Sequence, residues 1–396
     1  MNYRRRISNN KLFKIGDLWI VIILLFFIKP QIIDDLGLLD IVFSIGRVLF
    51  SMIYMFLLFA KSKKINKIWL YFIVIFLVNL IVTIINQGMI FKSVAKYFPA
   101  VGIVAYIIYN RNKIINIFNV LIRLELVLLS INLFTFFIFP NGIVYRETDS
   151  VAVWLLGQKQ DLAGFIFPML FIIVLMNLKK KCGKGVLIYA YIISLVTVWV
   201  EKSITALICM IILGILFIWD EFFANKIKKT WLIAICVLMF CAIQYIGYNF
   251  EHMQLIQKLL LRLSTGGPIT KVRTLGVRFL MWKFAWNLFF KSPIVGMGEL
   301  SEDLWMKGVG FYHSVLDNMY MDIIMGSGII GIVLFLLILK KAFNVINYFK
   351  QEKFARFLNY ILFVMCIYTF FGSPFFAMVF LIFLSGAWLP YIEDRV

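Results

Sequence analysis

The sequence predicts an all-α integral membrane protein of about twelve transmembrane helices, with one long extracytoplasmic loop that carries an interfacial amphipathic helix. Three observations predict it. Of the 396 residues, 63% are hydrophobic, and the mean hydropathy is +0.94, far from the half-apolar composition of a soluble domain. Charge-free runs of roughly 20 residues recur along the chain, the length that crosses a hydrocarbon core. Basic residues gather in alternate loops, as they do on the cytoplasmic side of a membrane protein.

The basic arm 1–14 is followed by an apolar stretch with no small-residue cleavage site, so it reads as a retained first span and not a removed signal peptide. Apolar segments then place spans at 16–36, 38–60, 66–87, 93–109, 114–139, 161–178, 185–200, 203–219, 230–249, 315–339, 356–371 and 374–391. An even number of spans puts both termini on one side. The arm, the loops at 61–67, 111–113, 179–184, 226–229 and 340–356, and Arg395 hold more than half of the 40 basic residues, so both termini are expected to be cytoplasmic. The chain 1–396 thus reads as a single polytopic membrane domain. The net charge of +20 would suggest nucleic acid in a soluble protein. Here it is topological, and no nucleic-acid partner is expected. The five cysteines show no metal-ligand spacing, so neither a disulfide framework, a metal site nor a cofactor is expected.

The long loop at 250–312, between spans 9 and 10, departs from the charge rule. Lys258, Arg262, Lys271, Arg273, Arg278, Lys283, Lys291 and Lys307 outnumber Glu251, Glu299, Glu302 and Asp303. One reading is tolerance, since long translocated loops obey the rule less. The other is an anionic ligand at the outer face, a phosphate or pyrophosphate. Within the loop, 276–291 reads as a helix lying at the membrane surface. Phe279, Leu280, Phe284, Leu288 and Phe289 supply apolar area; Lys283, Asn287 and Lys291 form a polar line; Trp282 and Trp286 suit the headgroup zone. Pro293 stops it, and Gly296 and Gly298 permit a tight turn back.

Candidate chemistry gathers where this loop re-enters the membrane. His313 precedes Asp317, Asn318 and Asp322, and a neutral imidazole accepts a proton near neutral pH. A histidine at a helix start also serves simply as a cap or interfacial residue. Glu201-Lys202-Ser203 turns between two spans, either as a hairpin tip or with Lys202 adding a positive group to the outer vestibule. Arg47 lies inside the second span and Arg123 with Glu125 inside the fifth; intramembrane charge is costly and points to function, and Arg47 is the better placed to face a cavity. Asp161 reads as an N-cap for the sixth span. No phosphate-binding glycine loop or nucleotide-sugar domain is present in the sequence, so glycosyl transfer here would need a lipid-activated donor.

Gly276-Val277-Arg278, Trp282, Ser292-Pro293-Ile294-Val295-Gly296-Met297-Gly298, then His313 and Asn318 ahead of Gly328-Ile329-Ile330-Gly331, together resemble the O-antigen ligase and repeat-unit polymerase superfamily. The match concentrates in about 60 residues, while span count and loop placement extend it along most of the chain. The resemblance implies a metal-independent glycosyltransferase in a bacterial plasma membrane, acting on undecaprenyl-diphosphate-linked glycan at the outer face. It makes Arg278 and His313 the catalytic residues, Arg278 holding the donor diphosphate and His313 acting as base or as acceptor-orienting residue, and the basic residues Arg273, Arg262 and Lys202 are read beside them as binding the substrate diphosphate. Asn318, Asp317 and Arg47 are candidate acceptor-binding residues. Two departures stand out: Ile204 occupies the place of a family arginine, and four residues separate His313 from Asn318 where many members have His-Asn adjacent. The expected function is a polysaccharide polymerase for O-antigen or capsule biosynthesis, joining lipid-linked repeat units with lipid diphosphate as leaving group. Its expected partners are the lipid-linked donor and acceptor, membrane lipid, a flippase and a chain-length regulator. The alternatives are a ligase moving glycan to another acceptor and a transporter of the lipid-linked unit. A transporter would more often show two related halves, whereas this chain has one asymmetric basic loop.

Overall fold

The apolar segments become helices packed side by side, their connections collected at two ends. The computed structural model describes residues 17–61, 67–146, 151–158, 161–178, 182–222, 229–249, 268–309, 316–346, 352–372 and 375–384. In chain order the helices are α1 (Leu18–Ile28), α2 (Leu38–Lys61), α3 (Lys67–Ile85), α4 (Ile90–Tyr109), α5 (Ile114–Ile138), α6 (Leu162–Leu178), α7 (Lys184–Val200), α8 (Ile204–Phe222) and α9 (Lys229–Asn249). They continue with α10 (Pro268–Lys291), α11 (Glu302–Val309), α12 (Met319–Ile346), α13 (Glu352–Tyr368) and α14 (Phe375–Phe383). Among the described residues, five helices are long and apolar enough to cross a bilayer, α2, α3, α4, α5 and α12, and α1, α6, α7, α8, α9 and α13 supply shorter apolar stretches.

The axis of the bundle is α6. It is hydrophobic all round, and Ile166 to Met176 are buried, as a helix enclosed on every side must be. Around it pack the buried faces of α5, α7, α13 and α14, while α2 and α8 turn leucine, isoleucine and phenylalanine outward, the surface that suits lipid.

Three sequence expectations are revised. The first span was expected to reach residue 36, but α1 ends at Ile28. Pro30 cannot continue the helical ladder, and buried Lys29 pairs with Asp34 (2.6 Å) and Asp40 (2.5 Å) in the turn that follows. The all-α class gains a small hairpin in the 140–160 loop, β1 (Val144–Arg146) against β2 (Val151–Val153), with Val144 opposite Val153; the Trp154 indole N–H seals it onto the Phe139 carbonyl at 2.9 Å. The loop helix starts at Pro268, not 276, with proline in the position helices tolerate best.

The surface role of that helix changes too. Met281, Trp282, Ala285 and Leu288 of α10 are buried against Leu300, Trp305, Leu316, Met321, Ile324 and Met325. Trp282 is thus a core residue whose indole donates to the Leu316 carbonyl (2.8 Å), and Trp286 donates to Gln244 of α9 (3.1 Å). Both tryptophans find protein acceptors for their single N–H. The expected polar line holds: Asn287 and Lys291 are exposed and Lys283 half-buried.

Candidate functional site

The connections at 29–37, 86–89, 139–146, 151–158, 201–203, 292–301, 316–318 and 369–372 meet at one end of the bundle, several of them through hydrogen bonds between residues far apart in sequence. Asn132 joins two of them, receiving the Leu156 N–H (2.8 Å) and donating to Glu201 (2.5 Å). The Met319 N–H donates to the Thr369 carbonyl at 3.0 Å, fixing the start of α12 to the end of α13.

At this end the loop 292–301 is laced to α12 and α3 by its backbone. Met297 N–H donates to Met325 (2.7 Å), Gly298 N–H to Gly326 (3.2 Å), Ile329 N–H to Pro293 (2.8 Å) and Ile330 N–H to Ile294 (3.2 Å). The ladder is open because α12 breaks at Gly328 (φ 61°, ψ −155°), a conformation glycine alone adopts without strain. Asn86 and Asn79 of the α3 end donate to the carbonyls of Met297 (3.0 Å) and Gly326 (3.2 Å).

A buried ionic cluster holds the same loop. Lys96 of α4 bridges Glu299 (2.7 Å) and Asp322 (2.7 Å), and Lys92 approaches Glu299 at 3.3 Å. Burial opposes ionisation of Glu299, but Lys96 and Lys92 overcome it and hold the carboxyl below its ordinary range. Sequence reasoning missed this cluster. Lys96 was visible as a charge inside an apolar run, but its partners lie more than 200 positions away.

Arg278 and Asp317 are brought together. The Arg278 Nε–H donates to Asp317 at 3.0 Å, both side chains being mostly buried. Asp317 adopts a left-handed conformation (φ 51°), tolerated by aspartate, and Asn318 follows as the cap of α12, its Oδ1 accepting from the N–H groups of Tyr320 and Met321 (3.1 Å each). The pair uses one of the five guanidinium donors and so fixes the direction of a group whose fork matches phosphate. Tyr368, next to Thr369, lies within electrostatic reach of Arg278, Asp317 and Asp161.

The other expected residues fall differently. Arg47 donates to the Phe27 carbonyl (2.7 Å), satisfying one of the open carbonyls at the end of α1. Lys202 is exposed with φ 56°. Its N–H donates to Trp199 (3.1 Å) and that of Ser203 to Val198 (2.9 Å), the paired bonds that close a helix through a left-handed residue. This turn swings Lys202 outward and Glu201 inward. Asp161 accepts the Gln158 N–H (2.9 Å) at the start of α6. Arg273 lies in α10, with its side chain outside the described residues; His313 and Arg262 lie outside them altogether.

Residues 189–336 match the family model described as O-Antigen ligase, a span from α7 into α12 that includes Glu201, Arg278 and Asp317. The match bears out, over those residues, the resemblance to the O-antigen ligase and repeat-unit polymerase superfamily, and the apolar helices are those of a multi-pass membrane protein. No curated protein and no solved structure matches the chain.

Proposed function

We propose that the protein is a polysaccharide polymerase that joins undecaprenyl-diphosphate-linked oligosaccharide repeat units at the outer face of a bacterial plasma membrane. The observation that carries this reading is the Arg278–Asp317 pair at 3.0 Å, set inside the segment matched to O-antigen ligases. A cation aimed by a mostly buried carboxylate is suited to a diphosphate leaving group, where charge develops as the glycosyl bond breaks. In this reading a sugar hydroxyl of the incoming unit attacks the anomeric carbon of the growing chain. The bond from that carbon to the lipid diphosphate breaks, and the diphosphate departs with the bonding electron pair. Arg278 holds the departing group, aided by Arg273, Arg262 and Lys202, and His313 takes the hydroxyl proton.

The test uses the full chain in detergent with the lipid-diphosphate-linked repeat unit of its source, products being resolved on a gel. Wild type is expected to build a ladder of lipid-linked polymer. Arg278→Ala and His313→Ala are each expected to lower the rate on the order of 10²-fold or more. Full-rate synthesis by Arg278→Ala would remove it from the reaction. A wild type that instead moves a finished glycan to another acceptor, without a ladder, is a ligase.

A further inference from the structure

Glu201 is 4% exposed although it sits in a turn at the loop-rich end of the bundle. Its Oε1 accepts from Asn132 at 2.5 Å, and its Oε2, equally buried, has no hydrogen-bond partner among the described residues. A buried acceptor left open costs free energy unless a ligand fills it. Asp161 lies within electrostatic reach of Glu201, on the loop that Asn132 ties to Glu201 through the Leu156 N–H. Gly157 (φ +117°) packs so closely that a Cβ there would stand 2.9 Å from Asp161 Oδ2 and 2.8 Å from the Gln31 amide carbon. Gln31 and Asp161 therefore converge on one spot. Carboxyl and amide acceptors gathered at one spot are suited to sugar hydroxyls, which donate hydrogen bonds. Two neighbouring carboxylates repel a ligand group of their own sign.

We propose that Glu201 and Asp161, with Gln31, form a saccharide subsite at the same end of the bundle as the Arg278–Asp317 pair, taking a neutral or amino-bearing sugar and excluding a uronate. The assignment rests on the glycan-transfer reading for its place in the reaction, with this sugar as the acceptor terminus, but saccharide binding is measured apart from transfer. The probes are the lipid-free repeat oligosaccharide from the source polysaccharide and undecaprenyl diphosphate, each titrated by thermal shift into the full chain in detergent. The oligosaccharide is expected to stabilise wild type, with apparent affinity about tenfold or more weaker in Glu201→Gln and Asp161→Asn. Undecaprenyl diphosphate is expected to stabilise both variants as it does wild type. Glu201→Gln keeps an oxygen for Asn132, and the unliganded melting temperature of each variant reports folding. An oligosaccharide that binds both variants as tightly as wild type, or fails to bind wild type, overturns the subsite, as does a repeat whose non-reducing terminus is a uronate. Absence of a polymer ladder with oligosaccharide binding still lost in Glu201→Gln overturns the polymerase and leaves the subsite standing.

Discussion

In the turn Glu201-Lys202-Ser203, a single left-handed residue decides which of two adjacent charges faces protein. The segment reads as polar punctuation between two apolar runs, and nothing in its composition says that Lys202 takes φ 56° and turns outward. Glu201 has a measurable consequence. Burial pushes its carboxyl up to about 7, opposed by the hydrogen bond from Asn132 and reinforced by Asp161. The folded state therefore keeps a proton that the unfolded chain, with an ordinary value of 4.5, has already released. Stability falls as pH rises from about 4.5 to about 7, by an upper limit of about 3 kcal/mol, and the penalty is absent below that window. Glu201→Gln removes the titration. It should match wild type near pH 4 and exceed it near pH 8 when unfolding is followed in detergent. A gap that stays constant between those pH values would mean the carboxyl is not held out of water.

The helices show where local pattern was enough and where it was not. Hydropathy located α2 to α9 to within a few residues, because each is a long apolar run bounded by charged or turn-forming residues. The Gly326-Ser327-Gly328 stretch lies inside the span expected at 315–339, and nothing local says that Gly328 interrupts the helix there. The reason is tertiary: the peptide groups freed by the break are taken up by Pro293, Ile294, Met297 and Gly298, partners no local window contains. Gly328→Ala should be costly, since a Cβ would run into the Ile294 carbonyl and the conformation is closed to alanine. A loss of at least about 2 kcal/mol is expected, read as a lowered melting temperature together with loss of polymer synthesis. Gly185→Ala, with open space around its Cβ, is the control expected to change neither. Equal melting of the two variants would show that the break does not depend on glycine.

Across the whole molecule the two ends differ in kind. One end gathers the loops with Glu201, Asp161, the Arg278–Asp317 pair and the Lys96–Glu299–Asp322 cluster. At the other, Lys61 stands 4.8 Å from the Tyr109 ring centre, and Arg356 grips Asp220 through two donors at 2.5 and 3.0 Å. The alternation of basic loops leads to the expectation of two unlike ends, because charge placement records how a chain is inserted. The pairings within the polar end could not be foretold, since Asn132 with Glu201 and Lys96 with Glu299 join segments separated by dozens to hundreds of residues. The division becomes a sidedness prediction once the basic end is assigned to the cytoplasm. In a cysteine-free background, Glu302→Cys on the exposed side of α11 should react with a membrane-impermeant maleimide in intact cells. Cys182, restored alone beside the basic 179–184 segment, should react only after the membrane is opened. The reverse pattern would place the Arg278–Asp317 end in the cytoplasm, where a polymerase working at the outer face could not use it.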